Sequence, residues 1–452
     1  MNRTGEQAAW QAVPVLRTDP LLDDPATRIV VCCGAGGVGK TTSAAALGVR
    51  AAERGRRVVV LTIDPARRLA QSMGLTELDN TPRRVPGVDT AAGGSLDAMM
   101  LDMKRTFDEI VEAHADAERA RAILSNPFYQ SLSAGFAGTQ EYMAMEKLGQ
   151  LSARDEWDLV IVDTPPSRSA LDFLDAPARL GSFLDGRFIR LLAAPAKAGG
   201  RAGMRMFSLG MTGVSMVTGA LGKLLGTGML RDVQTFVAAM DTMFGGFRTR
   251  ADATYRLLQD PGTAFLVVAA PERDALREAA YFVERLAADR MPLAGLVLNR
   301  VHGSEAAQLG AERALAAAEA LEEPEHEAVP EDEPRPEDGT EPEHDAGAAG
   351  DGGGPEGTRS PVPEAAALAA GLLRLHAERM RVIARECRVR DRFAALHPEV
   401  PVAEVPALPG DVHDLGGLRD VGERLAVQPR AAGAGQPAAT GTAADTSGGT
   451  SA

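Results

Sequence analysis

The chain has 452 residues, 45% of them hydrophobic and 24% charged, a composition that fits a globular protein and excludes a fibrous or wholly disordered one. Its length admits two or three average domains, or one large α/β domain with insertions. The formal net charge of −14 misleads, because Glu322–Arg359 holds 14 acidic residues against two arginines; the remainder is close to neutral, so bulk charge gives no reason to expect nucleic acid as a partner.

Met1–Thr27 has no apolar h-region, so no secretory signal is expected, and the stretch reads as an N-terminal extension of a cytoplasmic protein. Arg28–Cys33 is apolar and β-branched, as a strand buried in a parallel sheet should be. Cys32 and Cys33 are strand neighbours and should point to opposite faces; with Cys387 they form no C-x-x-C and no zinc clip of ordinary spacing.

Gly34-Ala35-Gly36-Gly37-Val38-Gly39-Lys40-Thr41 follows that strand and spells G-x-x-x-x-G-K-[ST]. The Ala/Leu-rich run Thr42–Glu53 reads as a helix, so the pattern sits between strand and helix, the context a phosphate-binding loop requires. The glycines let backbone N–H groups converge on one anion at a helix N-terminus. Gly36, Gly37, Val38, Gly39, Lys40, Thr41 and Thr42 are the candidate nucleotide-binding residues. Lys40 would reach the β/γ-phosphates of ATP, and the Thr41 hydroxyl would hold Mg²⁺.

Val58–Ile63 is a second buried strand, one helix after the first. Helices are expected near Arg105–Leu124 and Thr139–Ala153, and Asp158–Asp163 is a third strand that ends in a carboxylate. Phe265–Ala269 and Leu293–Leu298 are later strands with a helix at Arg273–Ala288 between them, and a short strand is expected at Val402–Val405. These alternating elements predict an α/β fold: a doubly wound, mostly parallel sheet over residues 28–425 with an inserted helical subdomain at about 180–258. Two tracts lack the apolar residues needed to offset the entropy of ordering. These are the acidic insertion at about 322–363 and the Ala/Gly/Thr/Ser tail at 426–452, both expected to be disordered.

A phosphate loop needs a carboxylate for the metal and a group to position water. Asp163 closes the strand Leu159–Val162 in the manner of a Walker B aspartate, and Asp64 ends the second strand in Thr62-Ile63-Asp64-Pro65-Ala66, where it could orient or deprotonate the attacking water. Lys40, Asp64 and Asp163 are the candidate catalytic residues, and Thr41 and Asp163 the candidate metal ligands.

The combination of Gly36-Gly37-Val38-Gly39-Lys40-Thr41, Asp64-Pro65 and Asp163-Thr164-Pro165-Pro166 resembles the arsenite-pump and tail-anchored-protein-targeting ATPases, the ArsA/Get family. Apart from the acidic insertion, the resemblance runs from about Ile29 to Leu425. It implies that the stretch after Asp64 is switch I and that the Asp163-Thr164 segment is switch II. It also implies that Asp64 activates water, that Thr41 and Asp163 serve Mg²⁺, and that Asn299 reads adenine, with Pro406–Val412 cradling the base.

The chain departs from that family at Ala35, where the family usually carries a second lysine that reaches across a dimer to the partner's phosphates. Arg168 stands in switch II where the family often has Gly-His and is a possible substitute cation, against its plainer reading as a surface residue. Neither the zinc C-x-x-C of the targeting branch nor the cysteine cluster of the arsenite branch is present, which argues against activation by arsenite. Seven of the 16 methionines fall between Met204 and Met243, a composition suited either to a buried helical subdomain or to a mobile apolar groove. The charge-free run Met206–Gly222 is too rich in glycine, serine and threonine for stable insertion, so membrane contact is expected to be peripheral at most.

Two functional readings stand. One is a dimeric, ATP-hydrolysing motor that couples nucleotide state to a hydrophobic client. The other is a weakly active regulatory subunit, heterodimeric with a lysine-bearing paralogue. An anion-pump subunit is the third and weakest.

Overall fold

The computed structural model of the chain describes residues 10, 12–64, 68–127, 129–130, 139–165, 246, 249–322 and 362–428. The Met-rich stretch 204–243, Arg168, most of the acidic tract and most of the tail lie outside these residues. The chain divides into two compact units: Met1–Val301 with Cys387–Ala452, and His302–Glu386.

The first unit is built on one eight-stranded sheet in the order β3-β4-β2-β5-β1-β6-β7-β8. Its strands are β1 (Ile29–Cys33), β2 (Arg57–Thr62), β3 (Arg83–Arg84), β4 (Ser95–Met100), β5 (Leu159–Asp163), β6 (Thr263–Ala269), β7 (Leu293–Val301) and β8 (Val402–Pro406). Every pairing is parallel except β3 with β4, which is antiparallel. This is the expected doubly wound α/β architecture. β1, β5 and β6 are buried at every residue, as strands covered by helices on both faces should be.

Two apolar layers flank the sheet. Val31, Cys33, Leu61 and Val162 share one core with Phe282 of the Arg273–Ala288 helix and Tyr142 of the Thr139–Ser152 helix. Val30, Cys32, Val60 and Ile161 share the other with Ala44–Ala52 of the Lys40–Glu53 helix and Leu418 and Leu425 of the Leu415–Ala426 helix. Cys32 and Cys33 thus fall in opposite cores, as strand alternation requires.

Some elements differ from their sequence signal. The helical signal over Arg105–Leu124 is two helices, Met103–His114 and Ala117–Leu124. Ala115 caps the end of the first, and Asp116 starts the second, its carboxylate accepting the Arg119 N–H at 2.9 Å as an N-cap. β4 has no apolar alternation to announce it, because Asp97 sits buried within it; the Trp157 indole N–H donates to that carboxylate at 2.9 Å and Arg84 lies 3.2 Å from it.

The stretch ahead of Arg28 is tied to the sheet from residue 12 onward. The Leu16 N–H donates to the Val402 carbonyl at 3.0 Å, and the Val402 N–H to the Pro14 carbonyl at 2.8 Å. The short helix Thr18–Asp23 places Asp19 against Arg50 at 2.5 Å. In the second unit, Ala314 and Ala318 are buried faces of the Ala311–Glu322 helix, and Glu386 accepts both from the His302 backbone N–H (3.0 Å) and at its ring Nδ1 (2.5 Å).

Candidate functional site

β5 inserts between β1 and β2, with Asp163 in register with Cys32 on one side and Thr62 on the other. This register puts the carboxylate at the strand tip directly beside the loop that leaves β1.

The loop is shaped by two glycines. Gly34 has φ +144, and a Cβ there would lie 2.0 Å from the Val268 carbonyl oxygen, so the backbone can press against β6 only without a side chain. Gly39 has φ +96 and caps the Lys40–Glu53 helix; a Cβ there would lie 2.1 Å from Asn299 Nδ2. Gly36 and Gly37 are exposed between buried Ala35 and Val38, so the middle of the loop forms an open mouth.

Lys40 is 6% exposed, and its ammonium donates to the Ala35 carbonyl at 2.8 Å. Burial holds its pKa below the ordinary lysine value, partly countered by the charges of Asp163, Cys33, Asp64 and Glu278. The Thr41 hydroxyl donates to Asp163 Oδ2 at 2.7 Å, and the Thr62 hydroxyl to the same oxygen at 2.9 Å. The other oxygen, Oδ1, is buried and has no hydrogen-bond partner among the described residues. Complete burial pushes the Asp163 carboxyl up to about 6, against the opposing pull of the two hydroxyls and of Lys40. Burial likewise raises the Cys33 thiol to about 12 and lifts the Cys32 thiol well above its ordinary value, so neither cysteine is a nucleophile at neutral pH.

The other expected site residues gather here. Thr42 is half-buried in the first helical turn. Asp64 follows β2, its backbone N–H meeting the Thr62 hydroxyl at 3.3 Å, and its charge acts on both Lys40 and Asp163. Asn299, on β7, donates its side-chain amide to the Val38 carbonyl at 2.8 Å and accepts from the Arg300 N–H at 3.0 Å. Thr164 donates its hydroxyl to the Cys32 carbonyl at 2.9 Å, fixing the start of the segment after β5.

Three contributors escaped the sequence reading. Thr62 became visible only once the β2–β5 register set it against Asp163. Gln140 donates to the Ile63 carbonyl from 77 residues away in the chain. Glu278, on the Arg273–Ala288 helix, keeps a buried carboxylate oxygen without a partner among the described residues while its charge acts on Lys40. None has a motif; only the folded register reveals them.

An orphaned, buried carboxylate oxygen suits a hard cation, and it lies on a carboxylate already bonded to the Thr41 hydroxyl; the residues present therefore fit a magnesium ion. A glycine loop with buried lysine, a helix-initial threonine and a strand-tip aspartate on the neighbouring parallel strand define a P-loop protein of the α/β class.

Comparison with known proteins narrows this. Residues 27–323 match the family described as anion-transporting ATPase, and the chain belongs to that family. It is similar to Protein Rv2184c of Mycobacterium tuberculosis, 34% identical over 166 residues, which are 35% of this chain and 39% of that protein. It is also similar to ATPase GET3 of Malassezia globosa, 29% identical over 160 residues, 35% of this chain and 45% of the relative. A longer match, to ATPase GET3 of Podospora anserina, is 24% identical over 298 residues, 65% of this chain and 80% of that protein. In the first two, the chain spans less than half the length of the curated relative. Among the described residues no helix is long and apolar enough to cross a membrane.

Proposed function

We propose that the chain is a Mg²⁺-dependent ATP hydrolase whose nucleotide state is coupled to a protein partner. The observation that carries this reading is Asp163: fully buried at the β5 tip, bonded through one oxygen to the hydroxyls of Thr41 and Thr62, with its second oxygen unpartnered. Most buried carboxylate oxygens have a hydrogen-bond partner, so an orphaned one beside the phosphate loop and the Thr41 hydroxyl leaves a place for a cation.

The residues divide the work. Backbone N–H groups from Gly36 to Thr42 cradle the phosphates at the helix N-terminus. Lys40 exchanges its bond to the Ala35 carbonyl for the β/γ-phosphates, trading a neutral acceptor for charged ones. Thr41 and Asp163 would hold the metal, which would supply charge neutralisation on the phosphates. Asp64, at the neighbouring strand tip, orients the attacking water and accepts its proton. Asn299 contacts the adenine ring.

The relatives named ATPase GET3 support ATP hydrolysis; in our reading a dimer closes on ATP and the switch segments gate an apolar surface for a hydrophobic client. Ala35 favours a second reading: without the lysine that the family resemblance leads one to expect there, the chain hydrolyses slowly by itself and serves as the regulatory half of a heterodimer. Action as an anion-pump subunit is the least supported. We place the protein in the cytoplasm.

The test is ATP turnover by the purified full chain, with and without Mg²⁺, together with its Asp64→Asn variant. Turnover that needs the metal, and a loss of roughly 10²-fold or more in the variant with ATP affinity retained, is the expected result. Metal-independent turnover, or an active Asp64→Asn chain, contradicts it.

A further inference from the structure

Asp64 leaves the sheet at a point where the ladder has run out. β2 ends at Thr62, whose carbonyl still receives the Leu101 N–H at 2.9 Å, but among the described residues no strand donor remains for the Ile63 carbonyl. Its donor comes from elsewhere: the Gln140 side-chain amide reaches it at 3.0 Å, in a part-buried bond. The Ile63 N–H meanwhile donates to the Asp163 carbonyl at 3.0 Å, and the Ile63 side chain is 2% exposed. The residue before Asp64 is therefore fixed on both of its main-chain polar groups and through its side chain.

The helix that supplies Gln140 is a firm base. In Thr139–Ser152, Met143, Ala144 and Met145 are buried in the core. Glu146 pairs with Arg250 at 2.8 Å, and Lys147 with Glu109 at 2.8 Å; Glu146 and Lys147 are 6% and 5% exposed. Each pair has one buried member, so breaking either leaves that buried charge stranded. The helix thus holds Gln140 at the end of β2, where Asp64 leaves the sheet. An amide also suits the task chemically: it donates to a carbonyl yet adds no charge beside Asp64.

We propose that Gln140 is the positioning residue for Asp64, setting the Ile63–Asp64 peptide so that the carboxylate is held at the phosphate loop. The proposal rests on the reading of Asp64 as the water-activating group. Gln140 does not touch the reacting atoms; it acts through the Ile63 carbonyl, and its loss leaves the Ile63–Asp64 peptide with the longer 3.3 Å contact of the Asp64 N–H with the Thr62 hydroxyl.

The experiment uses the full chain with Gln140→Ala, its near-isosteric companion Gln140→Glu, and Asp64→Asn as reference. Misplacing a catalytic group by about an ångström costs on the order of 10²-fold in rate. Both Gln140 variants are expected to lose roughly 10- to 100-fold in kcat, with KM for ATP and the affinity for a fluorescent ATP analogue within about twofold of the parent. In nucleotide-free protein, amide exchange at residues 61–64 should be faster in both. Gln140→Glu, whose carboxyl can donate only when protonated, should recover relative to the parent as pH falls from about 8 to about 5.5. A merely space-filling glutamine would leave Gln140→Glu at parental activity at every pH. Parental kcat in Gln140→Ala, with Asp64→Asn inactive, overturns the proposal alone. Retained turnover in Asp64→Asn overturns the reading of Asp64 and the proposal with it. Unchanged exchange at 61–64 overturns it independently of any turnover.

Discussion

The Asn299 side-chain amide donates to the Val38 carbonyl at 2.8 Å, tying β7 to the phosphate loop across 261 residues of chain. The same nitrogen would lie 2.1 Å from any Cβ placed on Gly39, a residue held at φ +96. The loop and the asparagine are therefore packed as one unit, with the glycine as the condition for their approach. Gly39→Ala meets both backbone strain and this clash. A loss of about 1–3 kcal/mol in stability is expected by urea denaturation, with ATP binding falling below detection by calorimetry.

Asn299→Ala leaves the glycine conformation intact but removes the tie. One hydrogen bond of this sort contributes about 1 kcal/mol, so the fold should weaken only slightly. The larger expected effect is on the ligand: ATP affinity falls roughly tenfold, and the preference for ATP over GTP collapses if the amide reads the base. Competition binding with both nucleotides measures this. A variant that binds ATP more weakly but keeps its preference would assign Asn299 to the loop alone.

Asp163 makes a prediction about pH. Burial raises its carboxyl from 3.8 to about 6, so the folded chain holds that proton more tightly than the unfolded chain does. The penalty of an ionised, buried carboxylate is therefore absent below pH 3.8, grows between there and about 6, and is complete above. Asp163→Asn removes that charge. In metal-free, nucleotide-free protein the variant should be more stable than the parent by about 1–3 kcal/mol at pH 8, and the gap should shrink toward zero near pH 4. Denaturant titrations across that range give the comparison. Mg²⁺ with ATP should stabilise the parent and leave the variant unmoved. Stability is then sacrificed for function at this one position.

How far the sequence could be read follows from where each signal resides. The phosphate loop, β1 and the Asp163 strand are local: glycine spacing and apolar runs are contiguous, so both the elements and the family motif are visible in the sequence. Arg273–Ala288 was placed to the residue because its buried positions recur at helical spacing from Ala275 to Leu286. β4 stayed hidden because its buried Asp97 is satisfied by Trp157, distant in the chain, and no window of six residues contains that partner. The Arg105–Leu124 signal concealed a break because Asp116 fits a helical window in composition yet favours capping in the fold. Thr62 and Gln140 belong to the site only through register and tertiary contact. Motif residues announce themselves, whereas the residues that aim them do not.

Ala35 separates the two readings of function. It is 8% exposed, and its carbonyl already accepts from Lys40. Gly36 and Gly37 beside it are exposed, however, which leaves a path for a long side chain to carry a charge out while its stem stays covered. A cation supplied across an interface in other nucleotide hydrolases accelerates turnover by about 10³–10⁵-fold. For a chain that pairs with itself, Ala35→Lys should raise kcat at least about tenfold, with sedimentation showing a dimer in ATP and a monomer in ADP. The increase should vanish in the double variant that also carries Asp64→Asn, which shows that the gain uses the same chemistry. ATP binding without faster turnover in Ala35→Lys would instead place the missing lysine on another subunit, because a cation on the wrong partner cannot reach the phosphates it must neutralise.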